Sequence, residues 1–166
     1  MPKALIVGIA GTRVGARELT FIREADPLGF ILFARNIAAH EQVVALVEDL
    51  RRAVGRADAP VLIDQEGGRV ARLRPPQWRA APAAAVFGAL MRLNREHALR
   101  ATMLNAQLIG TELAALGITV DCAPVADVPV AEADPIIGDR AFDTAPETVA
   151  ILAGAFCDGL DAAGIL

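Results

Sequence analysis

Four short apolar runs, each separated from the next by a longer stretch of different period, leave this chain few folds to choose from. The runs are Ala4-Leu5-Ile6-Val7-Gly8-Ile9, Gly29-Phe30-Ile31-Leu32-Phe33, Pro60-Val61-Leu62-Ile63 and Gly117-Ile118-Thr119-Val120-Asp121-Cys122-Ala123. They are rich in β-branched residues and too short for helices, so each reads as a buried strand. Between them the period changes to that of a helix. In His40 to Val54, the residues Val43, Val44, Leu46, Val47, Leu50 and Val54 fall on one face, with Glu48, Asp49, Arg51 and Arg52 turned outward. Arg95 to Leu116 repeats the theme with Leu104, Leu108, Leu113 and Leu116, and Gly117 supplies a left-handed stop. A third helix starts near Thr144 with Pro146 in its first turn, buries Val149, Leu152, Phe156 and Leu160, and stops at Gly164. Strand and helix alternate, which predicts a parallel α/β sheet.

The apolar share of 54% suits strands covered on both faces and excludes disorder. A net charge of −4, with the arginines scattered, argues against a nucleic-acid partner. Cys122 and Cys157 form no CxxC and have no nearby His, so they read as plain buried thiols. The run from Ala4 to Ile9 is too short for a secretory leader or a membrane span, which predicts a cytoplasmic protein with no membrane partner. After Gly164 the chain resumes with apolar Ile165-Leu166, which reads as the start of a fifth strand; a frayed apolar tail is the alternative.

The strands end in polar clusters: Ala34-Arg35-Asn36 after the second, Asp64-Gln65-Glu66 after the third, and Pro124-Val125-Ala126-Asp127 after the fourth. In parallel α/β folds the carboxyl ends of the strands line the ligand crevice. The densest cluster is Asp64-Gln65-Glu66-Gly67-Gly68-Arg69-Val70-Ala71-Arg72. Paired glycines let backbone approach a ligand closely, and carboxylate with guanidinium can serve both the donors and the acceptors of sugar hydroxyls. An internal Asp64–Arg69 ion pair that merely shapes the loop is an equal reading. A second cluster, Ile136-Ile137-Gly138-Asp139-Arg140-Ala141-Phe142, is either part of the same site or a solvated turn with Asp139 and Arg140 exposed.

Taken in order, Gly29 to Asn36, Asp64 to Val70, Ala123-Pro124-Val125-Ala126-Asp127 and Ile137 to Phe142 resemble the successive motifs of the bacterial family 3 β-N-acetylglucosaminidases over nearly the whole chain, with DQEGGRV the most specific piece. The resemblance implies a (β/α)8 barrel of the TIM type, truncated here after about four β/α units, so that 1–166 is the N-terminal half of one glycoside hydrolase domain of roughly 250 residues or more. It further implies removal of terminal N-acetylglucosamine from muropeptides during peptidoglycan recycling, with retention of configuration and with neither metal nor organic cofactor. Asp64, Arg72 and Arg140 fall on the positions that hold the non-reducing sugar. The acid/base His of that family follows a KHFPGHG-type fifth strand and its nucleophilic Asp comes later still, and neither motif occurs in these 166 residues. His40 and His97 match nothing catalytic and read as surface or capping residues. The chain therefore reads as inactive by itself, although it carries sugar-binding residues.

Three other readings compete. Gly8, Gly11 and Gly15 after the first strand suggest a nucleotide-binding doubly wound domain, but their spacing is GxxGxxxG and no Gly-Lys-Ser/Thr follows. Asp64, Glu66 and Asp127 could gather a hard cation in a metal-dependent lyase or hydrolase. A non-catalytic barrel fragment is the last. Four strands of a barrel also leave the edges of the first and fourth strands unpaired, with Lys3 the only charged guard, so the chain is expected to self-associate.

Overall fold

The computed structural model describes residues 1–130, 132 and 135–166. Nine helices and strands follow one another along these residues: β1 (Lys3–Val7), α1 (Ala16–Ala25), β2 (Pro27–Leu32), α2 (His40–Val54), β3 (Val61–Ile63), α3 (Ala84–Leu93), α4 (Arg95–Ala115), β4 (Val120–Asp121) and α5 (Pro146–Asp161). The strands form one parallel sheet in the order β1-β2-β3-β4. Parallel neighbours cannot be joined by a tight turn, and each crossover here is helical, as the alternating periods require.

Phe30, Leu32, Val61 and Ile63 are fully buried with the helices in one core, whereas Ile31 and Leu62, pointing the opposite way, are only partly covered. On β1 the residues Lys3 to Ile6 are all exposed. Helix α2 buries Val43, Leu46, Val47 and Leu50, and α5 buries Val149, Leu152, Phe156 and Leu160, as their spacing predicts. Gly55 and Gly117 adopt positive φ after α2 and α4, and the α4 start is capped by Asn94 Oδ1, which accepts from His97 N at 2.9 Å.

Several sequence expectations need correction. Helices α1 and α3 carry no clear apolar period and were not anticipated; α1 buries only Ile22 and Ala25, and α3 only Phe87 and Gly88. Strand β4 shrinks to Val120–Asp121. On α4 the buried face is Ala98, Thr102, Asn105, Ala106, Ile109 and Leu113, and the expected Leu104 and Leu108 lie exposed. Both thiols are at the surface rather than in the core. The outer edge of β4 is not bare either: Leu166 N donates to Thr119 O at 3.1 Å, and Asp121 N donates to Leu166 O at 2.8 Å. That exchange of amides adds one residue to the sheet beyond β4. Among the described residues no helix is long and apolar enough to cross a membrane.

Candidate functional site

The chain leaves β3 through Asp64, Gln65 and Glu66 and then reverses over Gly67 and Gly68, whose φ angles of 94° and 56° suit only glycine. A Cβ on Gly67 would lie 2.3 Å from Pro82 O, so the reversal is also too tight for a side chain. Buried Gln65 clamps the returning chain: its Oε1 accepts from Arg72 N at 2.8 Å and Leu73 N at 3.0 Å, and its Nε2 donates to Leu73 O at 3.0 Å. This clamp brings Arg72 back over the strand end, where its Nη2 donates to Asp64 Oδ2 at 2.6 Å.

The second cluster closes on the first. Arg140, in a short 3-10 turn at Gly138–Arg140, donates from Nε and Nη2 to both oxygens of Glu66, each at 2.8 Å. A planar guanidinium facing a carboxylate in this two-pronged way is the strongest form of such a pair. Glu66 holds the Arg140 pKa above its ordinary value despite the opposing effect of burial, and the charges of Asp127 and Asp64 act in the same direction. Arg69 Nε donates to Asp139 Oδ1 at 2.9 Å, and its Nη2 donates to the carbonyls of Ile136 and Ile137, fastening the β3 loop to the same turn.

These contacts decide the alternatives. The Asp64–Arg69 pair does not form, because the glycine reversal hands Asp64 to Arg72 and sends Arg69 to Asp139. Arg140 is not a solvated turn residue: its side chain is only 22% exposed and is locked to Glu66. Asp64, Arg72 and Arg140 thus occupy one region at the carboxyl end of the sheet. Among the described residues no group of three His, Cys, Asp or Glu could hold a metal ion, and Asp64 and Glu66 are both engaged by arginines. The glycine-spaced loop after β1 offers no phosphate cradle, since the Glu18 carboxylate already accepts from Ala10 N at 2.7 Å and Gly15 N at 2.8 Å. His40 and His97 are exposed helix-start residues away from these contacts.

Three contributors take roles beyond those read from the sequence, where Gln65 and Glu66 stand in the strand-end cluster and Asp121 in the fourth apolar run. Glu66 anchors Arg140, and Gln65 shapes the loop. Asp121, buried in β4, accepts from Gln65 N through Oδ1 at 2.9 Å, while its Oδ2 is buried without a partner. Burial, helped by the charges of Asp64 and Glu66, raises its pKa from 3.8 to about 7 against the lowering effect of the Gln65 bond. The only sequence signal for it was an acid inside an otherwise apolar run. The neighbouring Cys122 thiol is also pushed up, first by burial and then by the charges of Asp64 and Asp121.

Ion-paired carboxylates and guanidinium groups side by side present acceptors and donors together, the arrangement that a polyhydroxylated ligand requires. Residues 13–166 match the family model described as the glycosyl hydrolase family 3 N terminal domain. A β-hexosaminidase of Xanthomonas campestris pv. campestris is 38% identical over 161 residues, which cover 97% of this chain and 47% of that protein. The β-hexosaminidase of Xylella fastidiosa is likewise 38% identical, over 163 residues. This chain spans about half the length of these relatives. Among solved structures, NagZ from Neisseria gonorrhoeae in complex with N-trifluoroacetyl-D-glucosamine superposes with a TM-score of 0.91 at 30% identity, covering 99% of this chain and 49% of that one. A family 3 β-N-acetylglucosaminidase from Paenibacillus sp. gives a TM-score of 0.85 at 31% identity, covering 96% of this chain and 30% of that one.

Proposed function

Because the chain belongs to the glycosyl hydrolase family 3 N-terminal domain family, we propose that it supplies the sugar-binding half of a (β/α)8 barrel that removes terminal, non-reducing N-acetyl-β-D-glucosamine. The carrying observation is the joint placement of Asp64–Arg72 and Glu66–Arg140 at the carboxyl ends of parallel strands. That a gonococcal neighbour of the same fold holds an N-acylated glucosamine supports the substrate class. Asp64, Arg72 and Arg140 grip the sugar hydroxyls, with Glu66 holding Arg140 in place. The setting proposed for this reaction is muropeptide breakdown in cytoplasmic peptidoglycan recycling.

The reaction proceeds with retention. A carboxylate attacks the anomeric carbon as an acid protonates the leaving oxygen, and water then cleaves the glycosyl ester. The resemblance places that acid/base His and that nucleophilic Asp in motifs absent from these 166 residues. The role of this chain is to orient the sugar, which is itself a large part of such catalysis.

Two measurements test the reading. Pure chain should bind N-acetylglucosamine, and Arg140→Ala or Asp64→Ala should weaken binding about 10- to 150-fold, the worth of a hydrogen bond to a charged group. The same chain should release no aryl alcohol from an aryl N-acetyl-β-glucosaminide. Unchanged binding in both folded variants, or hydrolysis above that of a tag-only control, refutes the respective part.

A further inference from the structure

At the mouth of the sheet the described arginines are nearly all spoken for: Arg72 by Asp64, Arg140 by Glu66, Arg69 by Asp139. Arg35, at the end of β2, forms no ion pair among the described residues. Its position is nevertheless well defined. The guanidinium lies over the Phe33 ring at 4.6 Å from the centroid, and Nε donates to Ile9 O at 2.9 Å. It lies against Gly8, just past β1, where a Cβ would come within 3.2 Å of Nη2 and 3.3 Å of the Phe33 ring. Arg72 shares that ring, with its guanidinium carbon 5.9 Å from the centroid. Two cations therefore lie against one aromatic ring, and only one of them has a counter-charge among the described residues.

The fold does not need Arg35 for this. Fully buried Asn36 already ties the loops together, because its Nδ2 donates to Ile9 O at 3.1 Å and Gly11 O at 2.8 Å, and its Oδ1 accepts from Phe33 N at 2.8 Å. Without Arg35, Ile9 O would keep a donor. What remains unexplained by packing is an exposed, preset cation beside the Asp64–Arg72 pair, with its two terminal amino groups uncommitted. Local arrangements that the fold does not require, and that cost some repulsion, are characteristic of functional positions.

We infer that Arg35 is a further substrate-contact residue, donating from its terminal amino groups to one hydroxyl oxygen of the sugar that Asp64 and Arg72 hold. The inference rests on the sugar-binding reading above and deepens it. Phe33, Gly8 and the Ile9 carbonyl preset the donor, so little side-chain freedom is lost when the sugar arrives.

The test is calorimetric binding of N-acetylglucosamine, and of analogues each lacking one hydroxyl, to the full chain and to its Arg35→Gln variant. Circular dichroism and the melting temperature establish that the variant is folded. The expected result is that Arg35→Gln weakens the parent sugar about 10- to 100-fold, weakens all but one analogue in parallel, and leaves one analogue binding as it does to the unchanged chain. Arg35→Lys should restore only part of the loss, since it keeps the charge and loses the fork. Equal affinities in the chain and its variant overturn the inference, as does a uniform loss across every analogue, which marks a merely structural residue. If the unchanged chain binds no sugar, the sugar-binding reading falls and Arg35 with it, a pattern distinct from either of those. Should Arg35→Gln fail to fold, Arg35→Lys is carried through the same series and the selective loss is sought there.

Discussion

Asp121 gives one of its oxygens to the Gln65 amide and buries the other without a partner, so the fold penalises its ionised form. Its pKa of about 7 lies above the ordinary value of 3.8. Between those two values the folded chain keeps a proton that the unfolded chain has released, so stability falls as pH rises through that window. At about 1.36 kcal/mol per pKa unit the full loss is on the order of 4 kcal/mol, reached above pH 7. Asp121→Asn keeps an oxygen for Gln65 and cannot ionise. Its melting temperature should therefore hold up from about pH 4 to pH 8 while that of the unchanged chain declines; parallel curves over the range would rule Asp121 out as the titrating group. At this scale the sequence disclosed the charged residues at the strand ends more readily than those behind them. Asp64, Arg72 and Arg140 stood in patterned motifs, whereas which arginine Asp64 would take depended on a two-glycine reversal whose direction no spacing reveals. Gln65 stands inside the DQEGGRV motif without a sign of which amides it clamps, and Asp121 acts on a backbone amide from within an apolar run that no motif marks.

The helices differ in how plainly they were written. In α2 and α5 the apolar positions recur on one face and the buried residues follow them. Helix α4 carries leucines on two faces, and small residues Ala98, Ala106 and Gly110 share the buried one with Ile109 and Leu113, so the large side chains predict Leu113 and Leu116 correctly but not Leu104 and Leu108, which lie exposed. A close approach of α5 to α4 explains why: a Cβ on Gly159 would come within 2.2 Å of Met103 O, leaving no room there for leucines. Leu113→Ala, on the buried face, should cost about 2 to 5 kcal/mol by urea unfolding, and Leu108→Ala, 53% exposed, well under about 1. Similar costs for the two would mean that something covers the outer face of α4. The strands were legible because β-branched runs between helical periods admit little else. Helix α1 is not legible because half of its residues are polar and a single large side chain is fully buried.

At the scale of the molecule the outer edge of β1 has no neighbouring strand among the described residues, and Leu5 and Ile6 are exposed on that strand. Each hundred Å² of such surface covered contributes about 2.5 kcal/mol, and an unpaired edge offers backbone donors and acceptors as well. The chain is expected to self-associate at tens of micromolar and to bind a hydrophobic dye; light scattering from a monodisperse, dye-negative monomer would overturn that. The spatial order of the strands also repeats their order in the chain, which has a consequence for biosynthesis. At about 5 to 20 residues per second, the stretch from the start of β2 to the start of β3 takes roughly 2 to 7 s to leave a ribosome, whereas helix formation and local collapse take microseconds. Each strand therefore emerges beside a neighbour already in place, and none has to insert between two others. Throughout translation the nascent sheet keeps one stationary edge, that of β1, and one advancing edge, so a chaperone scanning for extended apolar backbone meets β2, then β3, then β4 in turn.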